Sequence, residues 1–292
     1  MQTLTEIKAL LESRGLSPRK AFGQNFLTDH NLITRLVDES GVRAGDVVLE
    51  VGPGTGVLTE ELLSRGCRVV AAELDHGLCA LLRDRLGDNP LFTLVEGDCL
   101  DGKHAIAPAL VGAVRGAMHE RSATTFRLVA NLPYGAATPL MMLLMAQHQE
   151  CTGQFVTIQK EVAQRLAARE SSKDYGPLSV LAQVTCEVRQ IAKLPPECFW
   201  PRPDITSAMV ALRRRPSPLH EDPARLLTFC HTVFEQRRKQ LGTLLGREFP
   251  FPQGVRATDR AEALSVTHLI ALEAASRAAE ISRNSPPGKE AR

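Results

Sequence analysis

Val47-Val48-Leu49-Glu50-Val51-Gly52-Pro53-Gly54-Thr55-Gly56 is the stretch on which the fold turns. A short apolar run that stops abruptly at glycines fits a buried parallel strand better than a turn of helix. Working outward, residues 58–65 read as a helix, 68–73 as a second strand and 78–86 as the next helix. Residues 92–95 and 126–130 read as a third and a fourth strand. Alternation of strand and helix is the signature of a doubly wound α/β sheet. Upstream, 4–14 and 31–39 read as helices, joined by a loop with a basic cluster at Arg19 and Lys20. Downstream, 155–159 predicts a strand and 161–169 a helix, and 178–188 with 207–212 complete the sheet. The segment 102–125 reads as a partly helical crossover.

Residues 213–223 form a basic, proline-containing linker, after which 224–245 and 260–281 carry helical patterns and no strand signal. The expected organisation is an α/β domain over 1–215 and a small all-helical domain over 216–292. The polar tail from Arg283, with Pro286 and Pro287, is expected to be disordered.

Composition narrows the classes. In 292 residues, 43% are hydrophobic and 23% charged, the balance of a globular chain that buries a real core. No apolar run approaches the roughly 18 residues of a membrane span. The first twenty residues mix Glu6 and Glu12 with Lys8, Arg14 and Arg19, unlike a signal or transit peptide, so a cytoplasmic location is expected. The seven cysteines include no CxxC pair, and the eight histidines no HExxH, so neither a disulfide framework nor a metal site is expected. A net charge of +2 means that any nucleic-acid binding must come from local patches.

Glycines between a strand and a helix let the backbone turn tightly and approach a ligand closely. A dinucleotide fingerprint would place its third glycine at 57, where Val57 stands, so the GxGxG spacing suits a nucleoside without a pyrophosphate. Glu73, ending the second strand, is placed to accept from ribose hydroxyls. Asp98, after the third strand, is placed to accept from an adenine amino group.

Asn131-Leu132-Pro133-Tyr134 follows the fourth strand and therefore lies at the same carboxyl edge, where open α/β sheets bind ligands. The amine of adenine is a poor nucleophile because its lone pair is delocalised into the ring. Two acceptors holding its two hydrogens favour a pyramidal nitrogen. The Asn131 side-chain oxygen and a backbone carbonyl beside Pro133 are suited to this, and Tyr134 to stacking on an extruded base. Taken alone, the same four residues also read as a strand-terminating turn.

Together these motifs resemble the ribosomal RNA adenine N6,N6-dimethyltransferases. The likeness also rests on 23–27 (GQNFL), 73–75 (ELD), 96–98 (EGD), 159–166 (QKEVAQRL), 175–180 (YGPLSV) and 199–203 (FWPRP). It implies a Rossmann-like S-adenosylmethionine-dependent methyltransferase sheet with a small C-terminal helical domain. It implies S-adenosyl-L-methionine held through Asn25, Leu27, Gly52, Glu73, Asp98 and Asn131, with Gly54 in the glycine loop. The implied substrate is small-subunit (16S) rRNA within a partly assembled subunit, methylated at two adjacent adenosines of a hairpin near its 3′ end. The implied enzyme is a monomer without a metal. Phe199 resembles a second aromatic at the base pocket and reads equally as a core phenylalanine; Arg237, Arg238 and Lys239 match a basic RNA-contacting helix and read equally as a solvated helix face.

Two departures stand out: Gly135-Ala136-Ala137 where the family has Asn-Ile-Ser, and Thr243 where it has asparagine. The alternatives are a large-subunit rRNA adenine methyltransferase and a catalytically weak assembly factor. The 160–166 and 175–180 segments favour the small-subunit type, and intact Glu73, Asp98 and Asn131 favour an active enzyme.

Overall fold

The computed structural model describes residues 2–19 and 23–284. Lys20, and the tail beyond Asn284 expected to be disordered, lie outside the described residues.

The chain opens with α1 (Leu4–Glu12), the two-residue strand β1 (Phe26–Leu27) and α2 (His30–Ser40). The expected alternation follows as β2 (Val47–Val51), α3 (Val57–Ser64), β3 (Arg68–Glu73), α4 (His76–Leu86) and β4 (Phe92–Glu96). The crossover contains a small hairpin, β5 (Leu100–Asp101) with β6 (Ala105–Ile106), and then α5 (Pro108–Glu120). Next come β7 (Phe126–Asn131), α6 (Tyr134–Gln147), β8 (Cys151–Gln159), α7 (Lys160–Ala167) and α8 (Pro177–Thr185). The last elements are β9 (Cys186–Leu194), β10 (Phe199–Trp200), β11 (Ser207–Arg214), α9 (Pro223–Glu235), α10 (Leu241–Leu245) and α11 (Val266–Asn284).

One seven-stranded sheet has the order β4-β3-β2-β7-β8-β11-β9. β4, β3, β2, β7 and β8 are parallel, and β11 runs antiparallel to both its neighbours. β2 and β3 are buried along their whole length, as strands covered on both faces must be. From β2 the chain winds outward through β3 and β4, then returns to β7 on the other side. That reversal makes the carboxyl ends of β2 and β7 the topological switch point, where a crevice opens.

The Cα packing yields two units, Met1–Gln164 with Cys186–Pro216 and Arg165–Thr185 with Ser217–Arg292. The sequence reading ran the first unit uninterrupted to 215. The structure gives residues 165–185 to the helical unit, whose core joins Tyr175, Val180 and Val184 to Leu226, Val233, Leu269 and Leu272.

Residues 178–188 are not one strand. α8 covers the run as far as Thr185, and the strand begins at Cys186. The helix is buried nearly all round, so periodicity cannot separate it from a buried strand. Pro177 at its first position is the helix signal. Residues 224–245 divide into α9 and the short α10, and only a 3₁₀ turn at Ala261–Ala263 precedes α11. Arg213 and Arg214 belong to β11 rather than to a linker. The Arg214 guanidinium donates to the carbonyls of Leu144 (2.7 Å) and His148 (3.1 Å), satisfying orphan acceptors at the C-terminal end of α6.

Candidate active site

At the switch point a cavity of about 440 Å³ opens, within the range of small-molecule sites. Its walls come from 23–26, the Gly52 and Gly54 turn, Glu73 and Leu74, 97–99 and 131–136. The residues singled out in sequence as Asn25, Gly52, Gly54, Glu73, Asp98 and Asn131 to Tyr134 therefore meet on one surface.

Two glycines make that approach possible. Gly52 has φ +72°, and a Cβ there would stand 2.9 Å from Cγ of Pro133. Gly54 has φ +61°, and its Cβ would stand 2.7 Å from the Phe26 ring. The first contact presses the glycine turn after β2 directly onto the turn after β7. The second seats the loop on an aromatic that stacks in turn on Trp200, ring centroids 6.2 Å apart. Larger side chains would open both contacts and demand a left-handed backbone that they disfavour.

Glu73 is buried at the end of β3. Its Oε1 accepts from the N–H groups of Leu74 (2.9 Å) and Asp75 (3.0 Å), and its Oε2 from Gly54 N–H (3.2 Å). A carboxylate has about four acceptor positions, so one remains at Oε2 for a ligand hydroxyl. Burial raises its pKa and the three backbone donors pull against that rise. Behind it, Glu50 is buried and accepts from Thr59 Oγ1 at 2.7 Å. Burial pushes Glu50 up to about 8, with the charge of Glu73 adding to the rise. Near pH 7 Glu50 therefore favours its protonated form. Asp98 is exposed at the rim, its Oδ1 held by Leu100 N–H at 2.9 Å.

Asn131 ends β7, half-buried. Its Nδ2 donates to the Asn25 carbonyl at 2.8 Å, and its Oδ1 is hydrogen-bonded by the Thr157 hydroxyl. Of the two carbonyls flanking Pro133, the proline's own accepts from Ala136 and Ala137 N–H at 3.1 Å in the first turn of α6. That leaves the Leu132 carbonyl as the one able to receive a ligand donor. Tyr134 opens α6, its hydroxyl 2.9 Å from Ser207 Oγ. Gly135 is exposed and a Cβ on it would meet nothing within 4 Å, so the departure there leaves open room at the cavity wall.

Other expected residues do not line that cavity. Leu27 and Phe199 are register partners in the β1–β10 pair, and both side chains are buried in the sheet core, Phe199 only 5% exposed. Phe199 thus packs in the core and lines no part of the rim cavity. Arg237, Arg238 and Lys239 are not on a helix, because α9 ends at Glu235. Arg237 pairs with Glu262 and donates to the Ser172 carbonyl at 3.0 Å, while Arg238 and Lys239 are exposed. Thr157, Ser207 and Cys99 had not been singled out. Cys99 comes to the rim with its neighbour Asp98, whereas only strand register brings Thr157 and Ser207 beside Asn131 and Tyr134.

No helix among the described residues is long and apolar enough to cross a membrane. Among the same residues no cluster of His, Cys, Asp or Glu is arranged to hold a metal.

A family model for ribosomal RNA adenine dimethylase matches residues 15–278. The ribosomal RNA small subunit methyltransferase A of Magnetococcus marinus is 40% identical over 275 residues, 91% of this chain and 94% of that one. Its counterpart in Bacillus licheniformis is 37% identical, covering 83% and 81%. Among solved structures, a dimethyladenosine transferase from Plasmodium falciparum superposes with a TM-score of 0.67 at 19% identity, covering 85% of this chain and 95% of that one. The 23S rRNA methyltransferase ErmE gives 0.62 at 24%, covering 87% and 100%. At these identities the two structures speak for a shared fold.

Proposed function

The chain belongs to the ribosomal RNA adenine dimethylase family and is an S-adenosylmethionine-dependent rRNA adenine dimethyltransferase; on that premise we propose how its rim does the work and on which adenines. The observation that carries the reading is the contact of Gly52 with Pro133, which brings a nucleoside-sized cradle against a pair of amine acceptors.

The rim suits the cofactor. Gly52 and Gly54 let the loop close onto Pro133 and Phe26 at the cavity wall, and Glu73 keeps one acceptor position for a ribose hydroxyl. Asp98 and Asn25 stand on the same wall as further polar partners. When bound, the cofactor supplies an electrophilic methyl carbon. Everything else falls to the chain. Asn131 Oδ1 and the Leu132 carbonyl accept the two N–H groups of the target amine and turn its lone pair out of the ring plane. Tyr134, braced by Ser207, offers a face for an extruded base. Catalysis on this reading is positioning and electrostatics, with no covalent intermediate on the protein.

The substrate we propose is a pair of adjacent adenosines in a hairpin near the 3′ end of small-subunit rRNA, presented in a partly assembled subunit in the cytoplasm to a monomeric enzyme. Relatives bearing the small-subunit name at 37–40% identity support this over a large-subunit target. Mass spectrometry of rRNA from cells lacking the protein tests it. Loss of dimethyladenosine at two neighbouring positions is the expected result, and an unchanged small-subunit profile would overturn it.

A further inference from the structure

β7 and β8 run parallel with Asn131 and Thr157 as register partners. Thr157 is 1% exposed, so its hydroxyl has no access to solvent. It grips the Asn131-Leu132 turn twice. Its carbonyl accepts from Leu132 N–H at 3.2 Å, and its hydroxyl is hydrogen-bonded to Asn131 Oδ1.

The direction of the second bond follows from the other partner of the amide. The Asn25 carbonyl can only accept, so the Asn131 NH₂ must face it, and Oδ1 faces Thr157. The hydroxyl is then the donor. It occupies one of the two lone pairs on Oδ1 and leaves the other. A flipped amide would set its oxygen against the Asn25 carbonyl, two acceptors without a proton between them. Asn25 belongs to the loop before β1, whereas Thr157 belongs to an interior strand of the sheet. Of the two ties, the hydroxyl is the one anchored to the rigid frame.

We infer that Thr157 is a positioning residue for methyl transfer, its hydroxyl aiming the remaining lone pair of Asn131 Oδ1 at the target amine. This rests on the reading of Asn131 as an amine acceptor. Valine is nearly the shape of threonine and keeps the backbone bond to Leu132, so Thr157→Val removes the side-chain tie alone. Serine keeps the hydroxyl.

The test is steady-state methyl transfer from radiolabelled S-adenosylmethionine to unmethylated small-subunit particles by the full chain and its Thr157→Val, Thr157→Ser and Asn131→Ala variants. Cofactor KM and Tm are measured beside kcat. Loss of one aiming hydrogen bond lowers kcat about tenfold in Thr157→Val. Cofactor KM and Tm stay at the parental values, and Thr157→Ser runs within about twofold of the parent. A parental kcat in Thr157→Val beside a dead Asn131→Ala overturns this inference and spares the acceptor reading. So does a Thr157→Ser as slow as the valine variant, or a Thr157→Val defect seen in KM or Tm instead of kcat. A near-normal Asn131→Ala overturns the acceptor reading, and the inference with it.

Discussion

The carboxyl rim of the sheet and the basic segment after α9 were both marked in sequence by three or four suggestive residues, and they came out differently. At the rim, each marked polar group is held by partners that leave one direction open: Glu73 by three backbone N–H groups, Asn131 by Asn25 and Thr157. In the basic segment, Arg237 is spent on Glu262 and Ser172, while Arg238 and Lys239 stand in solvent. A motif read by its place on the sheet edge stays together in the fold. A motif read only by its charge divides into structural and free members, and sequence does not say which is which.

The sharpest way to challenge this contrast is at Asn131. Asn131→Ala should cost on the order of 10²–10³ in kcat, the scale of losing one preorganised transition-state hydrogen bond, with Tm little changed. Single-turnover methyl transfer decides it, and turnover near the parent would reduce the rim to a strand-ending turn.

Next in size is Glu73. Replacing it with glutamine removes a charged acceptor and should weaken cofactor binding about 10- to 100-fold by calorimetry. The ionised form is the one that accepts without competition. Because burial raises its pKa, affinity should be full at high pH and fall on acidification through that raised pKa. The glutamine variant should lose the pH dependence.

Glu50 gives an effect of opposite sign, on stability rather than on turnover or affinity. It is an acid with a folded pKa of about 8 against an ordinary 4.5. The folded chain therefore holds its proton more tightly than the unfolded chain does. Stability is full below pH ~4.5 and declines as pH rises towards ~8, with a slope of at most ~1.4 kcal/mol per unit. Glu50→Gln mimics the protonated form, so Tm measured between about pH 5 and pH 8 should flatten.

The smallest expected change separates the basic residues. Arg238→Ala with Lys239→Ala should lower the salt slope of RNA binding by up to about 0.7–0.9 for each phosphate left without its cation, and leave Tm alone. Arg237→Ala should do the reverse, costing about 1 kcal/mol of stability with an unaltered slope. A reduced slope in Arg237→Ala would return that residue to the RNA interface.

Much of the frame was legible because its causes are local. An apolar run ending in glycines, repeated alternation and an acid at the second strand's end depend on steric freedom and periodicity, which neighbours in sequence supply. Where burial is complete on all sides that logic lost its grip, and the run after Pro177 passed for a strand. α6, hidden in the apolar stretch behind Tyr134, went unassigned for the same reason, and Phe199 read equally as core or pocket because aromatics serve both.

Residue order alone placed the glycine turn and the Asn131-Leu132-Pro133-Tyr134 turn at one sheet edge, since chain reversal forces the ends of β2 and β7 together. Folding settled what stands behind them. The hydroxyl that steadies Asn131 comes from a residue 26 positions later, and the acid that neutralises Arg237 from 25 positions later. Strand register and burial choose such partners, and both are minimised over the whole chain rather than over any window of it.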